Sequence, residues 1–176
     1  METGKLVHYS GVFSSEELDR IIELEPDLEF TEGMVGKDNT TNVVDHKKRI
    51  TDIAWVHPNN NTIWMFTKSA QAFCGSPISQ LQSMQYSIYR VGGHYKWHRD
   101  IGHQDNIANE RIVTGVLQLN DPKEYTGGEL MVDEGHSKTT VMKERGLLSV
   151  FPAGWRHKVN PVKTGIRKTL IMWGLK

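Results

Sequence analysis

"LQSMQYSIYRV", residues 81–91, decides how the rest of the chain is read. It is a short β-rich run closed by a turn pair, Gly92-Gly93, and the same texture returns in "RIVTGVLQLN", "GGELMVD", "KTTVMKE", "GLLSVFPA" and "RKTLIMWG". Asp121-Pro122, Gly127-Gly128, Gly146 and Gly154 stand where strands must turn. Many short strands without intervening helices predict a sandwich or jelly roll. Upstream the pattern changes. In "FSSEELDRIIELE", Ser14 can cap with Glu17, and Leu18, Ile21 and Ile22 share one face, which predicts a helix. A second helix fits "NNTIWMFTKSAQAFC", with Ile63, Phe66, Ala70 and Phe73 on a stripe and "GSP" as the stop, and it is expected to pack on the outside of a sheet. Between them, residues 31–49 are polar and glycine-containing and read as a loop or an irregular strand pair. The expected organisation is a single domain over 1–176, mostly β, with a helical support region at 1–80 and the main jelly-roll portion at 81–176.

Composition narrows the function. At 176 residues one core is expected. Lys plus Arg and Asp plus Glu both total 21, so no net charge draws the chain to nucleic acid or an anionic membrane. The single cysteine, Cys74, excludes an internal disulfide framework and a four-cysteine zinc site, so any metal must be held by His, Asp or Glu. The N-terminus lacks the pattern of a signal peptide and no stretch reaches the length of a membrane span, which predicts a soluble cytoplasmic protein.

The chemistry concentrates in "YKWHRDIGH", residues 95–103. In extended backbone, residues two apart share a face, so His98 and Asp100 can converge while Arg99 turns outward. A lone His-x-Asp is common by chance, and a metal needs a third ligand. His157, just after a turn and before the last predicted strand, is the candidate. Two histidines and one carboxylate leave coordination positions open, the arrangement associated with non-haem Fe(II) oxygenases. A dicarboxylate co-substrate would then need a cation for its far end. Arg167 stands ten residues after His157, and Thr169 shares its face. Other features have plainer readings. His94 and His98 are four apart but not on a helix, "HKKR" at 46–49 is most simply a solvated face or a guide for an acidic substrate, and Gly127-Gly128 is a turn. Trp97, Trp155 and Trp173 are candidates to wall a pocket or to fill core.

Taken together, "HRD", His157 and Arg167, with "GVFSSEEL", "IYRVGGHYKWHRD", "LQLNDPKEYTGGEL" and the block from Phe151, resemble the Fe(II)- and 2-oxoglutarate-dependent dioxygenases. Within them the chain is similar to the prolyl 4-hydroxylase-like group, including the bacterial and phage PKHD-type hydroxylases. The resemblance implies a double-stranded β-helix (jelly-roll) core supported by α-helices. It implies His98, Asp100 and His157 as iron ligands and catalytic centre, Arg167 as partner of the far carboxylate of 2-oxoglutarate, and Tyr89 as lining of the co-substrate pocket, with Thr169 a further donor. Fe(II), 2-oxoglutarate and O2 are the implied cofactors, with ascorbate a candidate reductant, and the implied reaction hydroxylates a C–H bond, foremost at a prolyl residue. The chain departs from the pattern at Leu117 and Gln118, where several prolyl hydroxylases carry a tyrosine.

Four functions compete: hydroxylation of a protein or peptide, hydroxylation of a free amino acid or small metabolite, nucleic-acid demethylation of the AlkB type, and a non-catalytic module with a structural metal. The demethylases place a second arginine where this chain has Trp173. A structural metal wants a fourth ligand that the sequence does not offer. Residues 31–49 and 101–110 are the candidate substrate-gating loops.

Overall fold

The structure, a computed structural model, describes residues 5–36, 42–57, 60–74, 78, 80–102, 108 and 110–176. His103, most of the 101–110 loop, the "GSP" stop and the side chains of Phe73 and Cys74 lie outside the described residues.

In chain order the strands begin with β1 (Val7–Tyr9), β2 (Thr31–Glu32), β3 (Val35–Gly36), β4 (Asn42–Val43), β5 (Arg49–Ile50), β6 (Asp52–Val56) and β7 (Gln80–Leu81). They continue through β8 (Met84–Tyr89), β9 (His94–His98), β10 (Arg111–Gln118), β11 (Tyr125–Gly127), β12 (Leu130–Asp133) and β13 (Lys138–Thr140). The last four are β14 (Leu148–Pro152), β15 (Arg156–Val159), β16 (Val162–Gly165) and β17 (Arg167–Leu175). Two helices, α1 (Ser15–Glu23) and α2 (Asn60–Cys74), precede the β-rich half. The major sheet has the order β1-β14-β10-β17-β8-β6-β2, with β7 also paired to β17, and the minor sheet runs β13-β12-β15-β9-β5. All pairings are antiparallel, and β3–β4 form the irregular pair expected within 31–49. The stretch before residue 80 therefore contributes strands to both sheets as well as helices.

Alternation along the central strands builds three layers. Tyr86 and Ile88 of β8, Val113 and Leu117 of β10, and Leu170 and Met172 of β17 face one way and share a core with Leu18, Ile21, Phe66 and Ala70 of the helices. The predicted box at the start of α1 is present, with Glu17 N–H donating to the Ser14 hydroxyl at 3.3 Å and Ser14 N–H to the Glu17 carboxylate at 2.8 Å. A second core, including Val116, Val132, Phe151 and Val159, joins the two sheets. The inner face of the major sheet is otherwise polar: Gln85, Ser87, Thr114, Gln118, Arg167 and Thr169 are all buried there. Burying that many polar groups is costly unless they meet partners. Here Gln85, Arg167 and Thr169 line a chamber.

Candidate active site

The chamber is a cavity of about 690 Å³ between the sheets. His98 ends β9 and His157 sits on β15, and these neighbouring strands pair with the two histidines in direct register. A register irregularity between Tyr95 and His98 breaks strict alternation along β9, so both rings come to the inner side, stacked with centroids 3.4 Å apart. Asp100 lies two residues on, anchored by its N–H to the Ala153 carbonyl at 3.0 Å. Arg99 is exposed, as expected.

The three side chains converge. His98 Nε2 is 3.6 Å from Asp100 Oδ1 and His157 Nε2 is 3.5 Å from Asp100 Oδ2. Among the described residues these three form the one group able to hold a metal ion, their donor atoms all within 4.8 Å of one another. Donors about 2.1 Å from a shared ion stand roughly 3.0–3.5 Å apart, so the donor set fits a metal with little adjustment. Each imidazole presents its Nδ1 to a backbone carbonyl, Lys96 at 2.8 Å and Trp155 at 3.1 Å. That hydrogen bond places the proton on Nδ1 of the neutral ring and directs the Nε2 lone pair at the centre. Asp100 is fixed by two donors to Oδ2, the Thr114 hydroxyl at 2.7 Å and the Trp173 indole N–H at 2.9 Å, and Oδ1 is left for the ion.

The electrostatics suit ligation. Burial, reinforced by His157, lowers the His98 pKa to about 4, so its ring is neutral. Burial alone would raise the Asp100 carboxyl, yet His157 and His98 hold it well below the usual carboxylate range. His157 is raised because the pull of Asp100 outweighs burial.

A second cluster sits on the major sheet. Arg167 is 2% exposed, and no carboxylate pairs with it among the described residues. Its guanidinium carbon lies 5.3 Å from the ring centroid of Tyr89, its cross-strand neighbour. Thr169 shares its face, and the Thr169 hydroxyl is buried without a hydrogen-bond partner. The Tyr125 hydroxyl is likewise buried and unpartnered. Burial raises the Tyr125 pKa against the opposing field of Arg167 beside it. Gly128 (φ +65°) lets the backbone close on Arg167, since a Cβ there would lie 3.0 Å from Arg167 Cδ. Gln118, at the position of the missing tyrosine, donates instead to Asn120 at 3.3 Å.

All six expected site residues thus line or bound one chamber. Trp97 and Trp173 wall it, whereas Trp155 packs against the inter-sheet core. His94 is half-buried, with Nδ1 2.9 Å from the Gly92 carbonyl. Sequence reasoning missed Thr114, Tyr125 and Arg49. Arg49 corrects the reading of "HKKR" as a solvated face: it is 7% exposed and lines the chamber. Its signal was available, because Arg49, Thr51 and Ile53 alternate as one buried face.

The inner wall of this jelly roll thus gathers two histidines, a carboxylate and an arginine that has no carboxylate partner among the described residues, the donor set of a metal-centred enzyme. Residues 84–174 match the 2OG-Fe(II) oxygenase superfamily, and the chain belongs to it as a 2-oxoglutarate-dependent dioxygenase. It is 26% identical over 174 residues to a PKHD-type hydroxylase of Pseudomonas putida, and 24% identical over 173 residues to the PKHD-type hydroxylase YbiX of Escherichia coli, in both cases covering 96% of this chain and 77% of the relative. The fold is that of a Pseudomonas putida prolyl-4-hydroxylase (TM-score 0.77, 18% identity, 99% of this chain and 94% of that one). A prolyl hydroxylase from Trichoplax adhaerens, solved with a hypoxia-inducible-factor peptide fragment, superposes with TM-score 0.74 at 19% identity over 98% of this chain and 84% of that one.

Proposed function

We propose that the chain is a single catalytic unit over residues 1–176 that hydroxylates a peptide or protein, foremost at a prolyl residue, with His98, Asp100 and His157 as the iron ligands. The observation that carries this reading is the pairing of that triad with a buried, carboxylate-free Arg167 in one chamber. When bound by His98, Asp100 and His157, Fe(II) with 2-oxoglutarate would supply the oxidising power for oxygenation of a C–H bond. In balance, one 2-oxoglutarate, one O2 and one C–H yield succinate, CO2 and one alcohol.

The chain's own residues bind and orient. Arg167 pairs with the far carboxylate of 2-oxoglutarate, and the Thr169 and Tyr125 hydroxyls complete its hydrogen bonds. Tyr89 covers the guanidinium. The Lys96 and Trp155 carbonyls fix the histidine rings, while Thr114 and Trp173 fix Asp100. The two sheets shield this end of the chamber from bulk water. A peptide acceptor is favoured by the open mouth, where Trp55 lines the chamber yet is 49% exposed. The peptide bound to the Trichoplax adhaerens neighbour is in keeping with this. Ascorbate is the proposed reductant for sustained turnover. A cytoplasmic setting is supported by the lone cysteine, and among the described residues no helix is long and apolar enough to cross a membrane.

The test is an anaerobic titration of metal-free protein with Fe(II) and then 2-oxoglutarate, watching for the visible charge-transfer band of the chelate. We expect the band in the unaltered protein, none in His157→Ala, and a need for far more 2-oxoglutarate in Arg167→Ala. Iron binding without a band would overturn the co-substrate assignment.

A further inference from the structure

Arg49 is a second buried cation in the chamber, and the reaction as described leaves it without a task. It sits on β5 at the edge of the minor sheet, on the other sheet from Arg167. Nη1 donates to the Met34 carbonyl at 3.2 Å, while Nε is buried with no partner. No carboxylate pairs with it among the described residues. A charge held this way stays unfavourable until an anion arrives.

Its placement is built rather than incidental. The guanidinium carbon lies 4.6 Å from the centroid of the Tyr95 ring, and that ring stacks on His98 at 3.4 Å. The stack sets Arg49 two rings away from the metal-ligating nitrogens. Gly33 closes behind it, since a Cβ at that position would stand 2.5 Å from Arg49 Nε and 2.7 Å from Thr51 Cγ2. Charge around the chamber has the same sign: Lys48, Lys96, Arg99 and Arg111 also line it, and Asp100, committed to the centre, is the sole carboxylate among the lining residues described.

We propose that Arg49 anchors a carboxylate carried by the acceptor substrate, beside the Tyr95–His98 ring stack. The proposal rests on the Fe(II)- and 2-oxoglutarate-dependent hydroxylase reading above and narrows its acceptor to one that carries a carboxylate. 2-Oxoglutarate cannot be the occupant, because its far carboxylate belongs to Arg167 on the opposite sheet and its near end to the metal. A guanidinium offers a planar, forked donor set suited to a carboxylate. That group can come from a Glu or Asp side chain near the target residue in a peptide, or from the free carboxylate of a small amino acid.

The experiment uses the 176-residue chain loaded with Fe(II) and 2-oxoglutarate and two probe sets read by mass for one added oxygen. The first is a pool of end-blocked, proline-centred peptides whose flanking positions carry Glu or, in matched copies, Gln. The second is a set of free amino acids with their carboxamide counterparts. We expect the carboxylate members of one set to react roughly tenfold or more faster than their amides, as loss of a charge-assisted hydrogen bond implies. Arg49→Gln should erase that preference, through KM rather than kcat, while keeping the Fe(II)–2-oxoglutarate band. Arg49→Lys should keep part of it. Preference within the peptides assigns the anion to a side chain, and within the amino acids to a small acid. Equal turnover of acid and amide, or no turnover in either set by protein that forms the band, overturns the Arg49 assignment and leaves the parent reading standing. Absence of the band in unaltered protein is a different failure, that of the parent reading, and takes this proposal with it. Should Arg49→Gln fail to fold, the acid-against-amide comparison in the unaltered protein decides alone.

Discussion

Tyr125 and Thr169 each bury a hydroxyl with nothing to bond, and leaving such a group unpaired costs about 1–3 kcal/mol. Among the described residues no carboxylate pairs with the Arg167 guanidinium beside them, so on the proposed reading one dicarboxylate would relieve the three costs together. Tyr125→Phe removes the donor and keeps the ring. The expected result is a KM for 2-oxoglutarate raised roughly tenfold with kcat little changed, read from succinate formation against co-substrate concentration. A KM within twofold of the unaltered protein would remove Tyr125 from the site. Trp173 acts one step further out. Its indole N–H donates to Asp100 Oδ2 at 2.9 Å while the Arg111 guanidinium carbon lies 4.0 Å from its ring centroid. Trp173→Phe deletes the hydrogen bond and retains an aromatic face for Arg111. Second partners of metal ligands typically carry about 10–100-fold in affinity, so calorimetric titration with Mn(II) in place of Fe(II) should weaken by that order. A merely packing role for Trp173 would leave the affinity unmoved.

Strand β17 shows how one element serves two layers. Leu170 and Met172 enter the core against the helices, and Arg167, Thr169, Ile171 and Trp173 face the chamber. That division was legible in "RKTLIMWG", because period-two alternation needs only the sequence. So were the His-x-Asp pair and the spacing of Arg167 from His157. What could not be read were contacts that depend on irregular pairing. Tyr125 reaches Arg167 from β11, whose register with β16 shifts at Thr126/Gly127, and no local pattern signals where such a shift aims a side chain. The helix layer gives its own prediction. A Cβ at Gly115 would stand 2.3 Å from Phe66 Cε2, and Phe66 is fully buried with no room to withdraw. Gly115→Ala should therefore cost about 1–3 kcal/mol, seen as a lower urea midpoint at unchanged slope, and Phe66→Leu in the same chain should recover part of it. At the sheet edge, His8 on β1 places Nδ1 3.0 Å from the Ser149 hydroxyl on β14. Burial holds its pKa below the ordinary 6.5 despite the opposing field of Glu134. The unfolded chain then binds the proton more readily, so this contribution to stability is present above pH 6.5 and is lost as pH falls through the folded value. Stability of His8→Gln should be flatter over that range, and an unchanged slope would mean that His8 is not the group responsible.

At the scale of the molecule, the inner wall of the major sheet gives up apolar packing to hold Arg167, Thr169, Gln85 and Ser87 under a second sheet. A protein built this way stores a deficit that ligands relieve, since each binds the folded chain and has no counterpart site in the unfolded one. The size of the response follows from mass action: a ligand at about 100 times its dissociation constant adds about 2.7 kcal/mol, and for a chain of this length each kcal/mol moves the melting temperature by roughly 2–4 °C. Metal-free protein given Mn(II) and 2-oxoglutarate together at such concentrations should melt roughly 10–20 °C higher, about half of it from each ligand. The increment due to 2-oxoglutarate should require the metal, because on the proposed reading the metal holds the co-substrate's near end. Arg167→Gln then separates two origins of the deficit. Removing an unpaired buried charge should raise the melting temperature of the ligand-free protein, as relief of desolvation predicts. The same change should abolish the increment from 2-oxoglutarate and leave that from Mn(II) in place. If Arg167→Gln lowered the ligand-free melting temperature and kept the full 2-oxoglutarate increment, the guanidinium would be a packing element of the β8–β17 pair and not the seat of a dicarboxylate.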